Sequence, residues 1–310
     1  MTFFLHDEHL KNLGDRILQA TWAKFPQLNQ DSLALTWIVY DSPVPVNTGG
    51  ALSPNAFWNY QVRGFSYRGD ERIYPASVVK LFYLVAIHEW LQNGMVQPAS
   101  ELERAMRDMI VDSSNDATSL VVDVLSGTTS GPELPPGPFE TWKSQRNIVN
   151  RYFQSLGWEE IEKINVNQKT WCEGPYGRER MYLGEMMQNR NMLTTNATAR
   201  LLHSIVGGVA VSSERSQAMM ALLQRDLKDL PTDIEENQVT GFLGAGLPDN
   251  AQLWSKAGWT SQVRNDAAYI EIPGKQPYLL VVFVEGRAHC QNQQLLPFIS
   301  QQVVHEVGDL

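Results

Sequence analysis

The sequence of 310 residues lacks the features that mark several large classes of protein. Its only cysteines are Cys172 and Cys290, too few for a disulfide framework or a cysteine-based metal site. Its 25 lysines and arginines are outnumbered by 34 aspartates and glutamates, and this net charge of -9 gives no attraction to nucleic acids or anionic lipids. No run of about 18 uncharged apolar residues is present to cross a membrane. We therefore expect neither a nucleic-acid nor a membrane partner.

Signals for export and for common cofactors are also missing. The apolar stretch at residues 1–5 is followed at once by polar and charged residues, which does not match a secretory signal. No G-x-G-x-x-G or Walker loop occurs, and the six histidines show no H-E-x-x-H spacing, so we predict no nucleotide cofactor and no metal. As written, the sequence predicts a cytoplasmic protein, or a periplasmic one if a leader is missing from it.

What is present is the composition of a globular protein, 43% hydrophobic and 19% charged, with clear periodic segments. Apolar residues at helical spacing predict a helix over residues 8–24, and the β-branched and aromatic run at 33–40 predicts a buried strand. Residues 57–67 are interpreted as a second strand. A further helix is predicted to begin at Ser77, and helical sequence continues to about residue 125.

The middle of the chain is predicted to be helical and the last third largely β. Prolines and glycines at residues 128–138 predict a loop rather than a helix. Helices are expected after it, at 141–156, 194–206 and 213–227. An antiparallel meander and a closing helix are then expected at 253–259, 266–272, 278–284 and 295–307.

This order of elements predicts an α/β (α+β) fold, with an antiparallel sheet flanked by the N- and C-terminal helices and an inserted all-helical lobe. We assign residues 1–75 and 231–310 to a mixed sheet lobe with the terminal helices, and residues 76–230 to the helical lobe. The active site is expected in the cleft between them.

The first candidate motif is Ser77-Val78-Val79-Lys80, at the start of a predicted helix. Residues three apart share one helix face, so Ser77 Oγ and Lys80 Nζ come within hydrogen-bond reach. Desolvation by apolar neighbours lowers the pKa of the lysine, which can then take the serine proton. The alternative is an N-cap serine beside a solvated lysine, since S-x-x-K is common by chance.

The second candidate motif, Asp112-Ser113-Ser114-Asn115-Asp116, lies between two apolar helical stretches. Such a cluster normally marks a helix break with capping residues. In a functional interpretation, Ser113 relays a proton to the leaving group, and Asn115 holds a substrate amide and Lys80. Both interpretations stay open at this point.

The third candidate motif is Lys256-Ala257-Gly258-Trp259-Thr260, at a strand edge. A glycine inside a strand often marks the close approach of a ligand or of another backbone, so a substrate can lie antiparallel here beside the charge of Lys256. The backbone N–H groups of Trp259 and Ser77 are candidates for an oxyanion hole, worth about 3 kcal/mol per donor. The alternative is a surface lysine before a bulge.

Taken together, S-x-x-K, S-x-N and K-x-G in this order resemble the serine β-lactamase and penicillin-binding protein superfamily, and most closely the class A β-lactamases. The resemblance covers nearly the whole chain and implies a β-lactamase-like fold. It also implies an acyl-enzyme route in which Ser77 attacks a carbonyl, Lys80 serves as base or proton store, and Ser113 passes a proton to the leaving nitrogen. No metal or organic cofactor is then needed. Some class A enzymes carry an arginine for the substrate carboxylate where this chain has Arg264.

The motifs depart from the family pattern at three places. Ser114 stands where the second motif has aspartate, and Ala257 where the third has a hydroxyl residue that helps hold a β-lactam carboxylate. The glutamate that drives deacylation in class A enzymes has three candidates. Glu185 has the asparagine spacing, Glu179 lies at a better distance from the threonine-rich helix start at 194–195, and Glu173 has less support.

The sequence therefore predicts a serine hydrolase that forms an acyl-enzyme at Ser77 and hydrolyses a β-lactam or a related amide or ester. Two alternatives stay open. One is a cytoplasmic, glutaminase-like amidase of the same superfamily, and the other is a degenerate penicillin-recognising protein that binds or is acylated without turnover. The expected partner is a small molecule, and the sequence leaves the oligomeric state undetermined.

Overall fold

A single mixed sheet forms the centre of the fold. The computed structural model describes residues 3–41, 52–231 and 237–309, and within these residues seven strands pair in the order β1-β3-β2-β7-β6-β5-β4. The strands are β1 (Phe4–His6), β2 (Leu33–Val39), β3 (Val62–Tyr67), β4 (Gln224–Arg225), β5 (Gln252–Trp259), β6 (Val263–Glu271) and β7 (Tyr278–Glu285). The two ends of the chain thus meet where β2 pairs with β7.

The central strand β7 is apolar at almost every position because both of its faces are covered. Val281 and Phe283 pack into one hydrophobic cluster, whereas Leu280 and Val282 pack into the other. Alternate side chains point to opposite faces of a strand, so a strand between two layers has no solvent face. The sheet is therefore the middle layer of three.

Helices cover both faces of this sheet. The helices of the described residues, some of which pack only on other helices, are α1 (Glu8–Lys24), α2 (Pro54–Asn59), α3 (Lys80–Gln92), α4 (Ser100–Ile110), α5 (Asn115–Ser126), α6 (Pro136–Arg146), α7 (Ile148–Ser155), α8 (Gly177–Leu183), α9 (Thr195–Val206), α10 (Ser213–Leu223), α11 (Arg287–Cys290) and α12 (Leu295–Glu306). The terminal helices α1 and α12 pack together on one face, and α9 packs on the other. This is the predicted α/β (α+β) arrangement with flanking terminal helices.

The helix that begins at Lys80 is the most buried of those that bear on the site. Its residues are apolar on every side, and eleven of them are buried, including Lys80 itself. A helix that is hydrophobic all round belongs inside a protein rather than on its surface. The turn at Ala76–Val79, which leads into this helix, packs against β5 and β6.

Three expectations about the elements need correction. Residues 57–67 are not one strand, because α2 occupies Pro54–Asn59 and the strand β3 starts only at Val62. The loop predicted over 128–138 ends earlier, since α6 begins at Pro136; proline is tolerated in the first helical turn, where its missing N–H has no partner to lose. Finally, β1 pairs with β3 in parallel, so the sheet is not wholly antiparallel.

Candidate active site

Ser77 lies in a tight turn that leads into α3. Residues Ala76–Val79 form a 3-10 turn, and the backbone N–H of Lys80 donates to the carbonyl of Ser77. Ala76 has a φ of 48°, a left-handed conformation that costs energy for a residue with a Cβ. The turn is thus a strained backbone feature next to the candidate nucleophile, and the Ser77 side chain stays half-buried at its surface.

Lys80 is fully buried, and its ammonium group is held by the second motif. Its Nζ donates to the Ser113 carbonyl at 2.5 Å, to Ser113 Oγ at 3.2 Å and to Asn115 Oδ1 at 3.0 Å. Among the residues that the structure describes, no hydrogen bond joins Lys80 Nζ to the Ser77 side chain. Burial lowers the pKa of Lys80 from 10.5 to about 7, so the neutral amine is accessible near neutral pH.

The second motif combines a helix cap with the polar groups of the site. Ser114 is the N-cap of α5, and its Oγ accepts from the N–H of Ala117 at 3.1 Å. Ser113 precedes it with a φ of 57°, and this left-handed conformation is the second strained backbone position beside Lys80. The capping interpretation is therefore confirmed at Ser114, and the functional roles of Ser113 and Asn115 stay predictions.

Lys256 reaches the same serine from the sheet side. Its Nζ donates to Ser113 Oγ at 2.9 Å, to the carbonyl of Ala257 at 2.8 Å and to the amide oxygen of Gln238. Burial, followed by the nearby charges of Lys80 and Arg225, holds the pKa of Lys256 well below 10.5. Because Ser113 Oγ accepts from both lysines, its own hydrogen is available to a group in the cavity.

Gln238 is a component of the site that the sequence analysis missed. Its side-chain oxygen accepts from Lys256 Nζ and from the Ala257 N–H, while its Nε2 donates to the carbonyls of Ile110 and Val111 at 3.0 and 2.8 Å. It thereby ties the third motif to the end of α4. No motif surrounds Gln238 in the sequence, and its importance appears only when the chain is folded.

Gly258 allows β5 to lie directly against the Ser77 turn. A Cβ placed on Gly258 would lie 2.7 Å from the carbonyl oxygen of Pro75, 2.7 Å from the backbone nitrogen of Ser77 and 2.8 Å from that of Val78. Backbone atoms cannot move aside as a side chain can, so only glycine fits here. The close backbone approach predicted for this glycine is therefore an approach to the turn that carries Ser77.

An open cavity of about 260 Å³ joins these three motifs, and we call it the reaction cavity. The residues that line it include Ser77, Ser113, Asn115, Gln238, Gly258 and Trp259. The side chain of Trp259 is 45% exposed and forms one wall. Polar groups from separate parts of the chain thus converge on one concave site, which is the usual setting of an enzyme active site.

The candidate glutamates lie away from this lining. Glu179 is fully buried in a cluster of charges, where Arg146 Nη2 donates to its Oε1 at 2.7 Å and Ser130 Oγ donates at 2.8 Å. Glu185 is exposed in the turn after α8. Glu173 lines a neighbouring cavity. Their roles in deacylation remain predictions.

Cys172 lies near Lys80, and no carboxylate is among the described residues that line the reaction cavity. Its Sγ accepts from Asn115 Nδ2 at 3.1 Å, and it lines the reaction cavity. Its electrostatic interaction with Lys80 acts against burial by raising the pKa of the lysine, and it is the smaller of these two effects. No role was predicted for this residue from the sequence, since nothing in its local sequence places it near the first two motifs.

Arg264 is buried beside a different cavity. Its Nε donates to the Cys290 carbonyl at 2.6 Å, its Nη1 donates to the Gly241 carbonyl at 3.2 Å, and its guanidinium lies 4.8 Å from the Phe242 ring centre. It lines a pocket together with Trp259, outside the reaction cavity. A role in binding a substrate carboxylate remains a prediction.

Within residues 3–41, 52–231 and 237–309, no helix is long and apolar enough to cross a membrane. The same residues contain no group of three or more histidine, cysteine, aspartate or glutamate side chains that could hold a metal ion.

Solved structures of β-lactamases and penicillin-binding proteins share this fold. A β-lactamase from Sphaerobacter thermophilus is 19% identical, with 95% of this chain and 97% of that chain covered and a TM-score of 0.62. A structure of PBP-A is also 19% identical, covers 99% and 98% of the two chains and has a TM-score of 0.64. A β-lactamase from Xanthomonas campestris pv. campestris is 18% identical, covers 96% and 99%, and has a TM-score of 0.62.

The fold and the three converging motifs define a protein of the serine β-lactamase and penicillin-binding protein superfamily. Residues 98–307 match the family model described as the beta-lactamase enzyme family. The chain therefore belongs to the beta-lactamase enzyme family. The matched range includes Ser113, Asn115 and Lys256 and begins after Ser77 and Lys80. No curated protein matches the sequence.

Proposed function

We propose that this protein is a serine hydrolase that forms an acyl-enzyme at Ser77 and hydrolyses a β-lactam or a related amide or ester. The observation that carries the proposal is the buried amine of Lys80, whose pKa is lowered to about 7 one helical turn after a half-buried serine at a cavity wall. A serine hydroxyl becomes a useful nucleophile only when a base takes its proton. A surface lysine would be protonated and unable to do so.

The steps follow from the positions of the polar groups. Ser77 Oγ attacks the substrate carbonyl and its proton passes to the neutral amine of Lys80, which serves as base or proton store. The hydrogen of Ser113, whose oxygen accepts from both lysines, is then placed to protonate the departing nitrogen or oxygen. The backbone N–H groups at Ser77 and Trp259 favour the oxyanion that forms on the substrate.

Water then has to cleave the Ser77 ester to release the acyl group. Glu179 is paired in a buried charge cluster and Glu185 is exposed, so neither carboxylate lines the reaction cavity. This observation favours a second candidate function, a penicillin-recognising protein that is acylated at Ser77 and deacylates slowly. A solved structure of a mutant of PBP-A, 18% identical to this chain, is described as an acyl-enzyme complex with penicillin G.

Mass spectrometry of the intact protein with a chromogenic cephalosporin and a fluorescent penicillin distinguishes the two functions. A mass increase that is lost in Ser77→Ala, together with continued hydrolysis, supports the hydrolase. The same adduct without turnover supports the slowly deacylating protein. No adduct with either reagent contradicts a β-lactam substrate and directs the search to other amides and esters.

A further inference from the structure

A second cavity of about 410 Å³ adjoins the reaction cavity at Cys172, which lines both. Trp259 lines the reaction cavity and the next residue, Thr260, lines the second cavity. A substrate bound at Ser77 therefore has a neighbouring space into which a side arm of its acyl group can extend. The mechanism proposed above uses none of the other residues of this second cavity.

Two buried donors on the wall of the second cavity have no partner among the described residues. Gln168 is 5% exposed, and its amide Nε2 has no acceptor. The indole Nε1 of Trp171 is likewise buried without an acceptor. An indole N–H can only donate, and a buried donor without an acceptor costs about 1–3 kcal/mol. Both donors call for an acceptor supplied from the cavity.

The charges around the second cavity favour an acceptor that is negative. Arg180 and Arg190 line it, and within the described parts of the chain neither guanidinium lies within ion-pair distance of a carboxylate. Arg190 stacks on the Tyr74 ring, 3.4 Å from its centre, which holds the guanidinium in place. Lys169 also lines the cavity but is paired with Asp123 at 2.7 Å. The only carboxylate on the lining is Glu173, which is exposed.

We propose that the second cavity binds a carboxylate carried on the acyl arm of the substrate, through Gln168, Trp171, Arg180 and Arg190. The inference rests on the proposed acyl-enzyme function and names its substrate class as an acyl compound with an anionic arm. Guanidinium groups and uncharged N–H donors together match a carboxylate, because each of its oxygens accepts more than one hydrogen bond. A neutral arm of the same size would leave the arginines without a counter-charge.

The test compares two cephalosporins that differ only in the arm on the 7-amino group. One carries a glutaryl arm with a free carboxylate, and the other carries the same arm with that carboxylate replaced by a primary amide. Titration calorimetry with the Ser77→Ala protein measures binding without reaction. We expect the carboxylate compound to bind about tenfold more tightly, and this preference to fall as salt is added, since the arginines are near solvent.

Variants assign the preference to the second cavity. Arg180→Gln and Gln168→Met each remove donors at nearly constant size, and each is expected to reduce the tenfold preference to less than about threefold. Arg104→Gln is the matched control, because Arg104 lies on the exposed side of α4, outside both cavities. This variant should keep the tenfold preference for the carboxylate compound. Thermal melting confirms that each variant is folded. Equal binding of the two compounds, or a preference that survives both variants, overturns the inference.

Free glutarate separates this inference from the proposed function. It needs no reaction at Ser77, and we expect calorimetry to show weak binding that Arg180→Gln reduces. Glutarate binding without an adduct on Ser77 would support the carboxylate-binding site and refute the acyl-enzyme. An adduct that forms equally fast from both cephalosporins, with no glutarate binding, would support the acyl-enzyme and refute the carboxylate-binding site.

Discussion

The lowered pKa of Lys80 predicts how the reactivity of Ser77 depends on pH. An ordinary lysine with a pKa of 10.5 is neutral in only about 0.03% of molecules at pH 7. With the pKa lowered to about 7, half of the molecules carry the neutral amine at that pH. Burial of Lys80 therefore increases the population of the competent base by about three orders of magnitude.

A fluorescent fluorophosphonate measures this effect without knowledge of the natural substrate, because it phosphonylates activated serines with loss of fluoride. The single-turnover labelling rate should rise about fiftyfold from pH 5 to pH 7 and level off above about pH 8, where the neutral amine is the main species. Lys80→Met should lower the plateau rate at least about a hundredfold. Lys24→Met, an exposed lysine on α1, is the control and should leave the profile unchanged.

A labelling rate that does not change between pH 5 and pH 9 would show that the neutral amine of Lys80 does not activate Ser77. A rate that keeps rising through pH 9 would contradict the lowered pKa of Lys80, because such a profile belongs to a solvated lysine. A Lys80→Met protein that labels at the normal rate would show that another group takes the Ser77 proton.

Three further predictions concern groups that position the site. Gly258→Ala should lower Ser77 labelling about a hundredfold, because the new Cβ would lie 2.7 Å from backbone atoms of the Ser77 turn and force strand and turn apart. Gln238→Met should lower the free energy of unfolding by about 1–3 kcal/mol, because buried Lys256 loses an acceptor and two carbonyls lose a donor; urea denaturation measures this. Glu179→Gln should cost about 1–3 kcal/mol in the same assay, since it removes the closer of the two carboxylates that pair with fully buried Arg146 and leaves only Asp123.

Each of these variants has a matched control. Gly137→Ala adds a Cβ that meets nothing within 4 Å, Gln154→Met changes an exposed glutamine, and Glu140→Gln removes an exposed ion pair; all three should behave as the unsubstituted protein. Normal labelling of the Gly258 variant would contradict the close approach of β5 and the Ser77 turn. Unfolding curves of the other two variants that match their controls would contradict the buried contacts described for Gln238 and Glu179.

The elements that were predictable from sequence are those with strong local periodicity. The helix at 8–24 was predicted close to its observed bounds because its apolar residues repeat at the spacing of one helix face. The meander of β5, β6 and β7 was predicted close to its observed bounds because these strands are buried on both faces and are apolar at most positions. The strand β1 was missed because three residues carry too little pattern. The helix start at Pro136 was missed because proline signals a break unless it occupies the first turn.

The candidate site was only partly predictable. Ser77 and Lys80 are three residues apart, and the other two motifs are short, so each can be recognised from local sequence alone. Gln238 and Cys172 join the site through contacts with segments far away in the chain, and no local pattern marks them. The choice among the candidate glutamates was ambiguous for a related reason. Residues 164–194 contain no long helix or strand, so the sequence spacing of these glutamates does not predict where their side chains lie.

Peptide mapping of the acylated protein identifies which residue is the nucleophile. The protein is treated with a fluorescent penicillin and, separately, with the fluorophosphonate, then digested and sequenced by mass spectrometry. The account predicts a single modified residue, Ser77, with at least one of the two reagents and no modification of the Ser77→Ala protein. Modification at Ser113 or Cys172 instead, or labelling that persists in Ser77→Ala, would contradict it.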